Sequence, residues 1–412
     1  LFNLSKSAIE KFNKKTALVD VDDILVYPVF KNKNTLMKFL NKIIWYLPET
    51  KFSNFKVHIF INEFDFNINQ VNIDLEGQYN YINNINKIGN IEISRKENMG
   101  KLANQSDLIL IYDFNYIENI KLRTNLSKSV IVDEDYYSTI EASNFCRVFD
   151  KTLSKKSKEK LYDLSSQNFS KLKKKNKEKS YVFCTGPSIE KAYNYDFNDG
   201  FNVICNSIVK NDELMDHIQP DLLTFADPVF HFGPSRYAER FRKMMIEAVR
   251  KYDLFVAVPD GKASLLLAHY PELENRIIIT RKADSFNFPK VDNIRIRGTS
   301  NILTLFMLPF ASSLSNEIYL IGCDGREEGE DYFWEHNPEV QFEGLKETAF
   351  KTHPSFFRDR IYTDYYKQHC ETLENLLEYG GKKGKEYYSL TESYIPALKR
   401  RHVDDKGKLK NQ

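Results

Sequence analysis

The sequence predicts an α/β protein of two domains. Apolar runs of strand length recur along the chain, helix-compatible stretches separate them, and a lysine-rich segment divides them into two sets. Strands alternating with helical patterns make mostly parallel sheets. A chain of 412 residues exceeds what one core usually serves, and 42% hydrophobic residues supply apolar material for two. The expected boundaries are 1–150 for an N-terminal α/β domain, 151–180 for a lysine-rich linker, 181–396 for a second α/β domain and 397–412 for a basic tail.

In the first half, Ala17–Val19, Val57–Ile61, Leu108–Tyr112 and Ser129–Val132 read as strands and Asn34–Tyr46 as a helix. The asparagine- and isoleucine-rich YNYINNINKIGN reflects compositional bias rather than a repeat. Two acidic clusters, Asp20-Val21-Asp22-Asp23 and Asp133-Glu134-Asp135, invite a divalent-metal reading because hard cations favour carboxylate oxygens. Acidic residues at strand ends are also ordinary loop formers, and no metal site is expected. Lys151 to Lys179, ending in KLKKKNKEKS, reads as an interdomain linker or a solvated helix.

The second half opens with YVFCTGPSIE, a strand that breaks at Thr185-Gly186-Pro187-Ser188 into a helix-compatible pattern. Gly186 lets the backbone approach a ligand, Pro187 sets the turn and Ser188 reads as an N-cap, so backbone N–H groups would face a phosphate. Three further runs end in polar residues: Phe201–Cys205 at Asn206-Ser207, Leu222–Ala226 at Asp227-Pro228, and Glu317–Gly322 at Cys323-Asp324. Ligands of open α/β sheets sit outside the carboxyl ends of the strands, so these four ends predict one nucleotide-binding crevice.

The formal charge is +2, and the basic runs lack interleaved aromatics, which argues against a nucleic-acid partner. Five scattered cysteines without Cys-x-x-Cys spacing read as free thiols in a reducing compartment, so the cytoplasm is expected. No apolar run reaches membrane-span length and no signal peptide is visible. The basic tail from Lys399 is expected to touch an anionic membrane surface peripherally, at its inner face. The chain starts at Leu1 rather than Met, as a piece of a longer protein would.

From Ser180 to about Pro396 the motifs resemble, in order, those of the bacterial lipooligosaccharide sialyltransferases and, more distantly, the flagellin-modifying and pterin diphosphokinase-like proteins that share their Rossmann-like nucleotide-binding fold. Thr185-Gly186-Pro187-Ser188 looks like the family's Asn-Gly-Pro-Ser loop, with Thr185 in place of an asparagine that touches the nucleotide. Cys205-Asn206 matches the family's Cys-Asn, which makes Asn206 a donor-binding residue. Asp227-Pro228 stands where the family has Asn-Pro. Arg297-Gly298-Thr299-Ser300-Asn301 resembles Arg-x-Thr-Ser-Gly, so Ser300 and the Asn301 backbone would meet the cytidine monophosphate or the sugar, with Arg297 in support. Asp324 closes the family's Gly-x-Asp. Tyr332 lies at the spacing of the second of two phosphate-binding tyrosines, and Arg326 replaces the first. For the general base the resemblance leaves His336, His353 and His369 open; His353 is the first choice and His369 the second.

The resemblance implies a glycosyltransferase that moves sialic acid or a related keto-sugar acid from a cytidine-monophosphate-activated donor to a surface-glycan or protein acceptor. It further implies inversion, no metal or other cofactor, an acceptor-binding role for the first half, and a homo-oligomer. Two other readings stand beside it: an ATP- and magnesium-dependent diphosphokinase-like transferase using Asp227 and Asp324 as a carboxylate pair, and a non-catalytic glycan-binding protein of the same fold.

Overall fold

The computed structural model describes residues 21–48, 55–62, 64, 75–82, 91–95, 99–115, 128–136, 138–175, 177–327, 336–358 and 362–403. Each half builds a parallel sheet. In the first, β1 (Asp23–Tyr27), β2 (Lys56–Ile61), β3 (Ile91–Arg95), β4 (Leu108–Ile111) and β5 (Ser129–Ile131) lie in the order β3-β2-β1-β4-β5. The first strand is therefore Asp23–Tyr27, the run behind the acidic cluster; the expected strand Ala17–Val19 lies outside the described residues. Side chains alternate across this sheet. Ile24, Val26, Leu108 and Leu110 enter the main core, while Leu25, Tyr27, Ile109 and Ile111 build a smaller one on the other face, so both faces are buried as parallel sheets require.

The second sheet contains β6 (Lys179–Phe183), β7 (Gly200–Cys205), β8 (Leu222–Thr224), β9 (Phe255–Pro259), β10 (Ile277–Ala283), β11 (Arg295–Arg297), β12 (Glu317–Ile321) and β13 (Glu386–Ser389). Its order is β11-β10-β9-β8-β7-β6-β12-β13, with every pairing parallel. The chain steps outward from β6 to β11 and then returns to the other side of β6. The strand order thus reverses between β6 and β12, where such folds open a crevice.

Helix Lys33–Tyr46 starts at Asn32, whose side chain accepts from the Thr35 N–H at 2.9 Å. Its Leu36, Phe39, Leu40 and Ile43 fall on one stripe, and all are buried. Of the two readings of the lysine-rich segment, linker or solvated helix, a helix is observed, solvated on one face and packed on the other. The segment's core is helix Lys155–Lys173, which buries Phe169 and Leu172, worth roughly 1.5–3 kcal/mol each, while its lysines face outward. Ser165 Oγ accepts the Ile279 N–H at 2.7 Å, and Asn168 donates to the Glu274 and Ile277 carbonyls at 2.9 Å, which ties the helix to β10.

One apolar cluster runs through both halves. At the joint, Trp45 donates to the Phe232 carbonyl at 2.6 Å and is sandwiched by His269 (4.0 Å, stacked) and the Arg242 guanidinium (3.8 Å). Part of the basic tail is docked on the second half: Ala397, Leu398 and Val403 are buried, and Arg400 and Arg401 both pair with Glu374. Residues 404–412 lie outside the described set. Among the described residues no helix is long and apolar enough to cross a membrane.

Candidate functional site

The loops leaving β6 to β11 surround one open crevice of about 810 Å³. Of the residues expected at the donor, Thr185, Asn206, Asp227, Arg297, Thr299 and Ser300 all line it, from the ends of β6, β7, β8 and β11. Ser143, on helix Ser138–Lys151 of the first half, adds to its wall.

Gly186, Pro187, Ser188, Asn301 and Asp324 do not line the crevice, for a local reason. The Asp324 carboxylate accepts both the Ser188 hydroxyl at 2.9 Å and the Ser188 N–H at 3.2 Å. The protein's own carboxylate thus occupies the expected phosphate cradle, and burial pushes Asp324 above the usual carboxylate range against those hydrogen bonds. Gly186 is needed there because a Cβ would sit 2.1 Å from Asp324 Oδ2 and 2.7 Å from the Gly322 carbonyl. Ser188 is not the N-cap: the short helix is a 3-10 turn, Pro187–Asn194, capped at Gly186 without a side-chain bond. Asn301 turns to its own backbone, its Oδ1 accepting from the Leu303 N–H at 2.8 Å just ahead of the helical run to Leu314.

Asn206 holds a left-handed backbone, φ +48°, at the end of β7. Asparagine tolerates this better than most residues, yet it still costs about 1 kcal/mol. Among the described residues its side chain has no hydrogen-bond partner, so its amide can meet a ligand. Asp227 Oδ1 accepts the N–H groups of Val229 (2.8 Å) and Phe230 (3.0 Å), which makes it a turn former as well as the single carboxylate on the crevice wall among the described residues.

A strap of chain crosses the ends of β6 and β7. The Asn337 N–H donates to the Thr185 carbonyl at 2.9 Å, Ser207 Oγ donates to the Val340 carbonyl at 2.5 Å, and Lys210 donates to the Pro338 carbonyl at 2.7 Å. This strap sets His336 into the wall of the crevice with its Nδ1 2.8 Å from Thr185 Oγ1. Burial first, and the charge of Lys346 second, push His336 down to about 4.

The two preferred base candidates are elsewhere. His353 is buried, its Nδ1 2.7 Å from Glu141 Oε2, in a network where Glu141 Oε1 also accepts from Lys42 at 3.0 Å. His369 is buried in helix Tyr362–Gly381 and pushed down to about 4, and neither residue lines the crevice. Arg326 is also buried and off the crevice, its guanidinium 4.8 Å from the Tyr366 ring and its carbonyl accepting the Tyr366 hydroxyl at 3.0 Å. Tyr332 falls in 328–335, outside the described residues.

The sequence reading missed most of the crevice's cations. Lys262 follows β9, Arg281 and Lys282 end β10, and Lys346 comes from helix Glu343–Thr352. The signal was present, since LFVAV before Pro259 and IIIT before Arg281 are apolar runs with polar ends like the four that were read. His231 also lines the crevice while almost wholly buried; burial pushes it down to about 4, with the Asp227 charge opposing.

Among the described residues no group of three His, Cys, Asp or Glu side chains is arranged to hold a metal ion. Asp133 accepts the N–H groups of Phe114 and Asp135 and so serves its own turn, while the Asp23 carboxylate lies 2.9 Å from His58 Nε2. No family model matches the chain, and neither curated proteins nor solved structures give a significant match.

Proposed function

We propose that this chain is a glycosyltransferase moving a sialic acid or related keto-sugar acid from a cytidine-monophosphate-activated donor to a surface-glycan or protein acceptor. One observation carries the reading: Thr185, Asn206, Asp227, Thr299 and Ser300 converge on a single cation-rich crevice at the carboxyl ends of parallel strands. The base in this reading is His336 rather than His353 or His369. Its ring is neutral at pH 7, the form from which a general base acts, and burial keeps it a weak base until a donor binds. When Nδ1 carries the hydrogen and donates to Thr185, Nε2 is the basic nitrogen. An anionic donor alongside raises the pKa of the ring toward working pH, where general-base catalysis is most effective.

The acceptor hydroxyl oxygen bonds to the anomeric carbon as that carbon's bond to the phosphate oxygen breaks. The hydroxyl proton passes to His336, and cytidine monophosphate departs with the bonding electrons, which inverts the centre. A monophosphate leaving group carries less charge than a diphosphate, so neutral donors such as the Asn206 amide and the Thr185 hydroxyl are suited to it. The diphosphokinase reading has less support, because Asp324 is spent on Ser188 and does not join Asp227 in the crevice.

The test pairs binding with chemistry. Cytidine monophosphate is expected to raise Tm without added metal, and release of sialic acid from its cytidine-monophosphate conjugate to fall at least ~100-fold in His336→Gln. Failure of every cytidine nucleotide to shift Tm would refute the proposal. Binding without any donor turnover would leave the glycan-binding reading instead.

A further inference from the structure

The crevice is longer than one donor requires. From Thr185 after β6 to Arg297 on β11 its wall crosses five strand spacings, roughly 24 Å at about 4.8 Å each. A nucleotide sugar laid across the strands covers roughly three such spacings. The first end holds Thr185, Asn206 and His336. The other is lined by Lys262, Arg281, Lys282 and Arg297, and among the described residues none of these four forms an ion pair with a carboxylate.

These cations crowd one another. Burial lowers the pKa of Lys262, and the charges of Lys282 and Arg147 push the same way against the opposing influence of Cys146 and Asp227. Lys262 Nζ donates to the Ala226 carbonyl at 2.6 Å and, as an ammonium, has two further protons to give. Arg147 stands on helix Ser138–Lys151, which also supplies Ser143, so the cationic end lies where the two halves meet. Like charges held together in a groove are unfavourable until an anion enters, and the groove raises the local concentration of such an anion.

We infer that this end of the crevice binds the carboxylate or phosphate of an acidic acceptor saccharide, so that the acceptor carries negative charge on the side away from the hydroxyl that faces His336; the word acceptor rests on the sugar-transfer reading, the anion site does not. The full chain would be titrated calorimetrically with 3′-sialyllactose, galactose 6-phosphate and lactose, each with and without saturating cytidine monophosphate. At least one acidic sugar is expected to bind at least about tenfold more tightly than lactose and to weaken as salt screens the charges. That preference should vanish in Lys262→Gln/Lys282→Gln and fall severalfold in Lys282→Gln alone, a change at an exposed side chain that leaves the fold intact. Lys160→Gln, on the exposed side of helix Lys155–Lys173, should change nothing. The tighter of the two acidic sugars identifies carboxylate or phosphate as the natural group. Equal affinity for lactose, or displacement of cytidine monophosphate by the acidic sugar, would overturn the inference. Acidic-sugar binding without any cytidine-nucleotide binding would sink the donor reading and leave the anion site standing.

Discussion

Glu141→Gln tests the structural role of His353 apart from the base role proposed for His336. In the native chain Glu141 Oε1 accepts from Lys42 at 3.0 Å and Oε2 faces His353 Nδ1 at 2.7 Å, all three side chains being buried. Burial alone would push the Glu141 carboxyl up, but Lys42 and His353 outweigh it and hold the group at about 2. Glutamine keeps the shape and loses the charge, so two charge-assisted bonds, each worth about 1.5–3 kcal/mol, weaken toward neutral ones. Lys42 retains Glu134 and the Thr352 carbonyl, which limits the damage. The expected loss is about 3 kcal/mol by urea unfolding. In Lys42→Met/Glu141→Gln the loss should fall short of the sum of the single changes by at least about 1.5 kcal/mol, because each single change strands the other buried partner. Donor turnover per folded molecule should stay unaltered. A stability loss under about 1 kcal/mol, additive single effects, or turnover that collapses in the folded variant would refute the structural assignment of this network.

Acid should destabilise the protein well before its carboxylates titrate. His231 and His369 are each held at about 4, against an ordinary value of 6.5, so between those pH values the unfolded chain binds protons that the folded one refuses. Stability is then flat above pH 7 and falls below 6.5 by up to about 1.4 kcal/mol per pH unit per imidazole, and His369→Leu should flatten that slope in urea titrations. Asn206→Gly should leave unfolding free energy within about 0.5 kcal/mol while Asn206→Ala costs about 1 kcal/mol, and both should weaken cytidine monophosphate binding by calorimetry. Gly186→Ala should cost about 1–3 kcal/mol in the same urea assay, because the new methyl group overlaps Asp324 Oδ2 and the Gly322 carbonyl.

The α/β class and most strands were legible because apolar runs end abruptly in polar residues, and those ends share one edge of the sheet. Thr185, Asn206 and Asp227 were found by that rule alone. Lys262, Arg281 and Lys282 obey it equally and were passed over because the reading stopped at four strand ends. Asp23–Tyr27 was hidden because the strand DILVY begins on the last residue of an acidic cluster, which reads as a loop. The choice among His336, His353 and His369 was beyond sequence reasoning. It depends on the path of the strap from Asn337 to Gln341, which lays His336 against Thr185, and on a buried lysine 311 positions before His353 in the chain. The cradle at Ser188 failed for a similar reason, since the carboxylate that fills it arrives from a strand 136 residues later.

The helix Lys155–Lys173 limits how this protein can be dissected. A gene fragment beginning at β6 would leave the Ile279 amide and the Glu274 and Ile277 carbonyls without Ser165 and Asn168, and would bare the seat of Phe169 and Leu172. The second half cannot be cloned or swapped as an independent module unless that helix travels with it.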